Sequence, residues 1–190
     1  MPHSTEAQAV TAPAETAELP VRWAGRAVAG VCAGLLVPLL FAHFGFTARG
    51  VISVAFACVL VVLSTIDLER RVIPNRIVLP ATGVVLAMQI AFFPDRAIEW
   101  IAASLGAAVF LFVPALIRPG ALGMGDVKLG LLLGAGLGRH VITGLMLGFF
   151  ALWPIAFFLF LRHGATAARK TAVPLGPFLA AGAVAALFLT

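Results

Sequence analysis

Seven apolar stretches follow one another along the chain, at residues 27–44, 51–66, 77–93, 100–117, 127–137, 141–161 and 175–189. No other feature limits the fold so strongly. A helix needs about 20 mostly apolar residues to cross the hydrocarbon of a bilayer. Several stretches are shorter than that but extend into their flanks. The fifth is interrupted early by Gly138-Arg139-His140 and either stands alone or merges with the sixth. The predicted fold is an all-α polytopic membrane protein with about seven transmembrane helices, or six if segments five and six merge. Composition agrees: 62% of the 190 residues are hydrophobic and 11% are charged, against about 25% charged in an ordinary soluble domain.

The placement of charge predicts the topology. With seven spans and a cytoplasmic N-terminus, the inner side holds Arg22, Arg26, Arg70, Arg71, Arg76, Arg118, Lys128, Arg162, Arg169 and Lys170. The outer side holds Arg49, Arg96 and Arg139. Ten against three is the asymmetry that the positive-inside rule describes. Merging segments five and six would move Arg162, Arg169 and Lys170 outside and weaken it. The net charge of +5 is thus read as topology and proximity to anionic lipid. It is not read as a nucleic-acid surface, for which a basic stripe with aromatic residues is missing.

Residues 1–22 are rich in Ala, Thr, Glu and Pro and have no basic start followed by an apolar core. They read as a disordered cytoplasmic tail rather than a signal peptide. Residues 23–190 read as one transmembrane domain. The cysteines, Cys32 and Cys58, both lie in apolar segments and form no CxxC. No disulfide framework or zinc site is expected. His3, His43, His140 and His163 are scattered without ligand spacing, so no metal or other cofactor is expected.

Acidic residues beyond the tail are few. Asp95 and Glu99 belong to an outer loop, which leaves Asp67, Glu69 and Asp126 on the inner side. Asp67 ends the second span and Asp126 begins the fifth, so both reach the same face at similar depth. Each has an ordinary explanation alone. Asp67 suits an interfacial pair with Arg70 or Arg71, and Asp126 suits a helix N-cap. Together they suggest more. Two carboxylates on one face can share a proton, because like charges held close do not both ionise easily. One then serves as general base on a water while the other donates to a scissile carbonyl, which is aspartyl-protease chemistry. Gly123 and Gly125 remove side chains beside Asp126 and leave room for a substrate backbone.

These residues also carry a family likeness. "TIDLERRVIPNRIVLP" (65–80) with "GMGDVKLG" (123–130) resembles the type IV prepilin peptidases, membrane aspartyl proteases of the GxGD type. "AVPLGPFLAAGA" (172–183) resembles their Pro-Phe-Gly-Pro-Phe element, with Leu175 where Phe is common. The resemblance covers about residues 51–190. It implies an enzyme of the cytoplasmic membrane that removes the basic leader peptide of pilin-like precursors at the cytoplasmic face, typically after a glycine. It implies Asp67 and Asp126 as the catalytic pair and Gly123 and Gly125 as signature glycines. Pro74 and Asn75 carry over as motif residues only. The short form, without the paired CxxC insert of longer members, resembles Flp-type pilus peptidases and implies cleavage without N-methylation. Presenilin-like relatives place Tyr before the first aspartate. Here Ile66 stands there, and the chain has no tyrosine.

Other residues have weaker claims. Lys128 is two positions from Asp126 and would not face it on a helix. It is expected to snorkel to the interface, with contact to substrate as the alternative. Glu69 is expected to pair with Arg70 or Arg71, with attraction of a basic leader as the alternative. A proton-coupled transporter or channel, with the two aspartates as a relay, is the rival function.

Overall fold

The structure, a computed structural model, describes residues 19–117, 122–168 and 174–189. Seven helices occupy the seven apolar segments: α1 (Leu19–Phe44), α2 (Ala48–Arg70), α3 (Asn75–Phe92), α4 (Ala97–Ile117), α5 (Met124–Leu137), α6 (Val141–Ala168) and α7 (Gly176–Leu187). Two single 3₁₀ turns, Pro94–Arg96 and Gly138–His140, precede α4 and α6. There is no strand among the described residues. Residues 1–18, most of the expected tail, lie outside the described residues, as do Arg118, Arg169 and Lys170.

Local chemistry sets the helix ends. The Thr47 side chain accepts the Gly50 amide at 3.2 Å and caps α2. Arg71 adopts a left-handed conformation, φ 53°, and closes α2 by donating to the Asp67 carbonyl at 2.8 Å. Pro74, extended at φ −72° and ψ 124°, then opens α3. It restricts the residue before it to extended backbone, so α2 cannot run on. Gly138, at φ 56° and ψ −131°, ends α5 in a conformation that a β-carbon would oppose.

Large apolar side chains face outward along the helices, among them Val31, Leu35, Ile117, Phe150 and Trp153. In water such a surface would aggregate; in a bilayer it meets lipid. Among the described residues, five helical stretches are long and apolar enough to cross a membrane: Ala27–Phe44, Ala48–Arg70, Asn75–Phe92, Pro94–Ile117 and Met124–Pro154. The expected count of seven crossings is not reached by that measure. The last stretch carries α5 into α6, and α7 is shorter. Prolines 38, 80, 114 and 154 lie inside helices, a tolerance characteristic of membrane helices.

Helix α5 is the centre of the bundle. Its 14 residues span about 21 Å at 1.5 Å per residue, and Leu129 to Leu137 are buried apart from Leu131. Gly130, Gly134 and Gly138 recur every fourth residue and lie against α4 at Ala107, Ala103–Ser104 and Trp100 in turn. The spacing removes side chains from one stripe and lets the backbones meet, as small-xxx-small interfaces do. The Ser104 hydroxyl seals the contact by donating to the Leu131 carbonyl at 2.7 Å. On its other sides α5 meets Phe56 of α2 at Gly136 and Ile73 of the α2–α3 connection at Gly125. Helices α6 and α7 pack through a similar stripe, Gly144 and Gly148 against Ala183, Gly182 and Leu179.

A β-carbon at Gly134 would collide with the Ala103 carbonyl oxygen. Gly134→Leu is therefore expected to destabilise the bundle by about 1–3 kcal/mol, read as a lower thermal midpoint in detergent. Gly83→Leu, where a β-carbon meets nothing within 4 Å, is expected to leave the midpoint nearly unchanged.

Candidate active site

The acidic residues among the described helices all stand at helix ends. Asp67 and Glu69 lie in the last turns of α2, Glu99 in the first turn of α4 and Asp126 in the first turn of α5. None sits mid-helix, so the relay expected of a proton-coupled transporter finds no stepping stone.

Asp67 is buried, with 6% of its surface exposed. Among the described residues it makes no ion pair with Arg70 or Arg71. Its Oδ2 instead accepts the backbone N–H of Gly176 at 3.1 Å, across 109 positions of sequence. The first amides of a helix have no partner within it. Gly176 opens α7, and Pro177 after it has no N–H to offer, so the Gly176 amide is the first donor of α7. The carboxylate thus meets the positive end of a helix. Absence of a side chain at 176 is required, since a β-carbon there would lie 2.7 Å from Oδ2 and 3.1 Å from Cγ.

Asp126 is half-buried at the third position of α5, with Gly123 as the N-cap. It is therefore not the N-cap residue. Its amide donates to the Gly123 carbonyl at 3.0 Å, and its carboxylate accepts from the Gly123 backbone. That is half of a capping box, with glycine in place of the usual Ser or Thr. A β-carbon at 123 would stand 3.3 Å from Asp126 Oδ2, and one at 125 would stand 3.0 Å from Ile73 Cβ. Both signature glycines thus serve close approach: Gly123 to the carboxylate and Gly125 to the connection that follows Asp67.

The two aspartates stand at one end of the bundle, where Gly125, next to Asp126, packs on Ile73 of the connection that follows Asp67. A second link joins their segments. Lys128 Nζ donates to Asn75 Oδ1 at 2.7 Å, tying the start of α5 to the start of α3. The sequence reading gave Lys128 to the interface and Asn75 to a motif without a role, and missed this pairing. Pro74 stands at the N-cap of α3, where its fixed φ turns the chain toward Asn75. Glu69 is exposed, and among the described residues it forms no ion pair with Arg70 or Arg71, contrary to expectation. Gly176 was not anticipated as a site residue. The available signal was its place in Pro174-Leu175-Gly176-Pro177, where neither proline has an N–H to offer.

The opposite end of the bundle carries a second group of charges. Arg49, Arg96, Trp100 and His140 surround a small recess there, and Arg96 pairs with Glu99 at 2.9 Å. Cys32 and Cys58 are free thiols. Among the described residues no three His, Cys, Asp or Glu side chains are grouped to hold a metal ion.

The sequence matches known proteins. Residues 54–161, which include both aspartates, match the type IV leader peptidase family. Over 167 residues the chain is 30% identical to a prepilin leader peptidase/N-methyltransferase of Bacillus subtilis (strain 168), covering 81% of this chain and 63% of that protein. The chain thus spans less than two thirds of the relative's length. No solved structure matches it. With more than half of its residues matched, and with both aspartates inside the match, the chain belongs to the type IV leader peptidase family.

Proposed function

We propose that this protein is a membrane-embedded aspartic endopeptidase that cuts the basic leader from pilin-like precursors at the cytoplasmic face of the cell membrane. The observation that carries the reading is that Asp67 and Asp126 share one end of the bundle, their segments joined by Gly125 against Ile73 and by the Lys128–Asn75 bond. Arg70, Arg71, Arg76 and Lys128 lie in the segments around that end, and Arg49, Arg96 and Arg139 lie toward the other. The positive-inside rule then supports a cytoplasmic site. With no CxxC in the 190 residues, we infer cleavage without N-methylation.

In the proposed reaction one carboxylate is ionised and its partner carries a proton. The ionised group takes a proton from water as the oxygen attacks the scissile carbonyl carbon. The protonated group donates to the carbonyl oxygen, giving a neutral tetrahedral diol. Collapse of the diol breaks the C–N bond: the amine leaves with the proton held by the first carboxylate, and the second carboxylate takes a hydroxyl proton back. The Gly176 amide holds Asp67 in place throughout, and the bare backbone at Gly123 and Gly125 lets Asp126 and the Ile73 segment lie close together.

The test is purified protein in lipid vesicles with a synthetic leader-bearing precursor. One cut after the leader, with an unmethylated new N-terminus by mass spectrometry, is the expected result. An intact precursor overturns the proposal. The Lys128–Asn75 bond gives a further expectation. Lys128→Met and Asn75→Ala should each lower turnover about tenfold by loosening the two segments against each other. The double variant should lose no more than either single one, the signature of a coupled pair.

A further inference from the structure

A cavity of about 580 Å³ lies between α1, α2 and α7. Val28, Cys32 and Leu36 stand one turn apart on α1 and form one wall. They span about 12 Å along the helix axis. Leu60 and Val61 of α2 and Ala181 and Val184 of α7 form the facing walls. Polarity is confined to the end beside Asp67, where Ser64, Thr65 and Glu69 line it. The Thr65 hydroxyl is already committed to the Val61 carbonyl at 2.8 Å. Glu69 is exposed and, among the described residues, carries no ion pair.

The shape asks for a long apolar guest lying parallel to the helices, and Glu69 asks for a positive charge at its inner end. An apolar helix preceded by basic residues meets both demands. A phospholipid meets the first alone: of the charged residues at that end, Glu69 lines the groove and Arg70 and Arg71 do not, so the phosphate would be brought toward a carboxylate. Resting on the peptidase reading above, we propose that this groove binds the apolar helix of the precursor, with Glu69 facing the basic leader and the peptide between them presented to Asp67 and Asp126.

Cys32 is exposed and lines the groove, whereas Cys58 does not. In a Cys58→Ala protein Cys32 is the sole thiol. Precursors carrying a single cysteine stepped along the apolar helix would be mixed with it in vesicles and oxidised. Mixed disulfides are expected at positions recurring every three or four residues, and Ala181→Trp should suppress them and raise KM about tenfold with kcat unchanged. Glu69→Gln should raise KM about threefold for a basic leader and leave KM unchanged for a leader whose lysines are glutamines. Disulfides at no position, or equally at every position, overturn the assignment and leave the groove to lipid chains. Equal KM effects on both leaders overturn the role of Glu69. Crosslinking does not require cleavage. Normal cleavage without crosslinks therefore refutes the groove alone, and failure to cleave refutes the peptidase reading whatever the crosslinks show.

Discussion

Asp67→Asn and Asp126→Asn are each expected to abolish cleavage of a co-expressed precursor, with turnover down about 10³-fold or more, while the protein still inserts and folds. An amide replaces each carboxylate with almost the same shape, so packing is preserved. It can neither take a proton from water nor release one to a carbonyl oxygen. The Gly176 N–H can still donate to a side-chain oxygen at position 67, and the Gly123 backbone to one at position 126, so both local frames survive. The check is the ratio of mature to uncleaved precursor beside the amount of membrane-inserted enzyme. Substantial processing by either variant would remove that residue from the chemistry.

Gly176→Ala is the second large expectation, and it separates positioning from proton transfer. The alanine keeps the amide that holds Asp67 but sets a methyl 2.7 Å from Oδ2. Because α7 is packed against α6 through Gly182, the carboxylate is the partner that gives way. A displacement near 1 Å in a reacting group costs about 10² in rate. We expect kcat to fall by about that factor while the thermal midpoint moves little. Gly106→Ala, where nothing lies within 4 Å, is the matched control and should keep full activity. Wild-type turnover by Gly176→Ala would show that the placement of Asp67 does not matter.

Much of this arrangement was legible in the sequence because membrane helices leave strong one-dimensional signals. Seven apolar stretches gave seven helices, and charge at their ends gave a common side for Asp67 and Asp126. The crossing count was less legible. Helix α5 is short and almost wholly enclosed, and hydropathy cannot distinguish a buried segment from a lipid-facing one. The glycine stripe of α5 was visible as spacing, but its partner was not, since the meeting of Gly134 with Ala103 depends on how α4 and α5 cross. Contacts between remote segments were hidden for the same reason. Asn75 and Lys128 stand 53 positions apart, and neither residue type suggests the other. Glu69 shows the opposite error: adjacency to Arg70 and Arg71 suggested pairing, but neighbours along a helix point in different directions.

The bond from Gly176 to Asp67 also fixes an order of events during biosynthesis. Both acids leave the ribosome well before position 176 does, so a nascent chain holds both carboxylates without the amide that steadies one of them. Under the proposed function, full competence waits for α7 to dock.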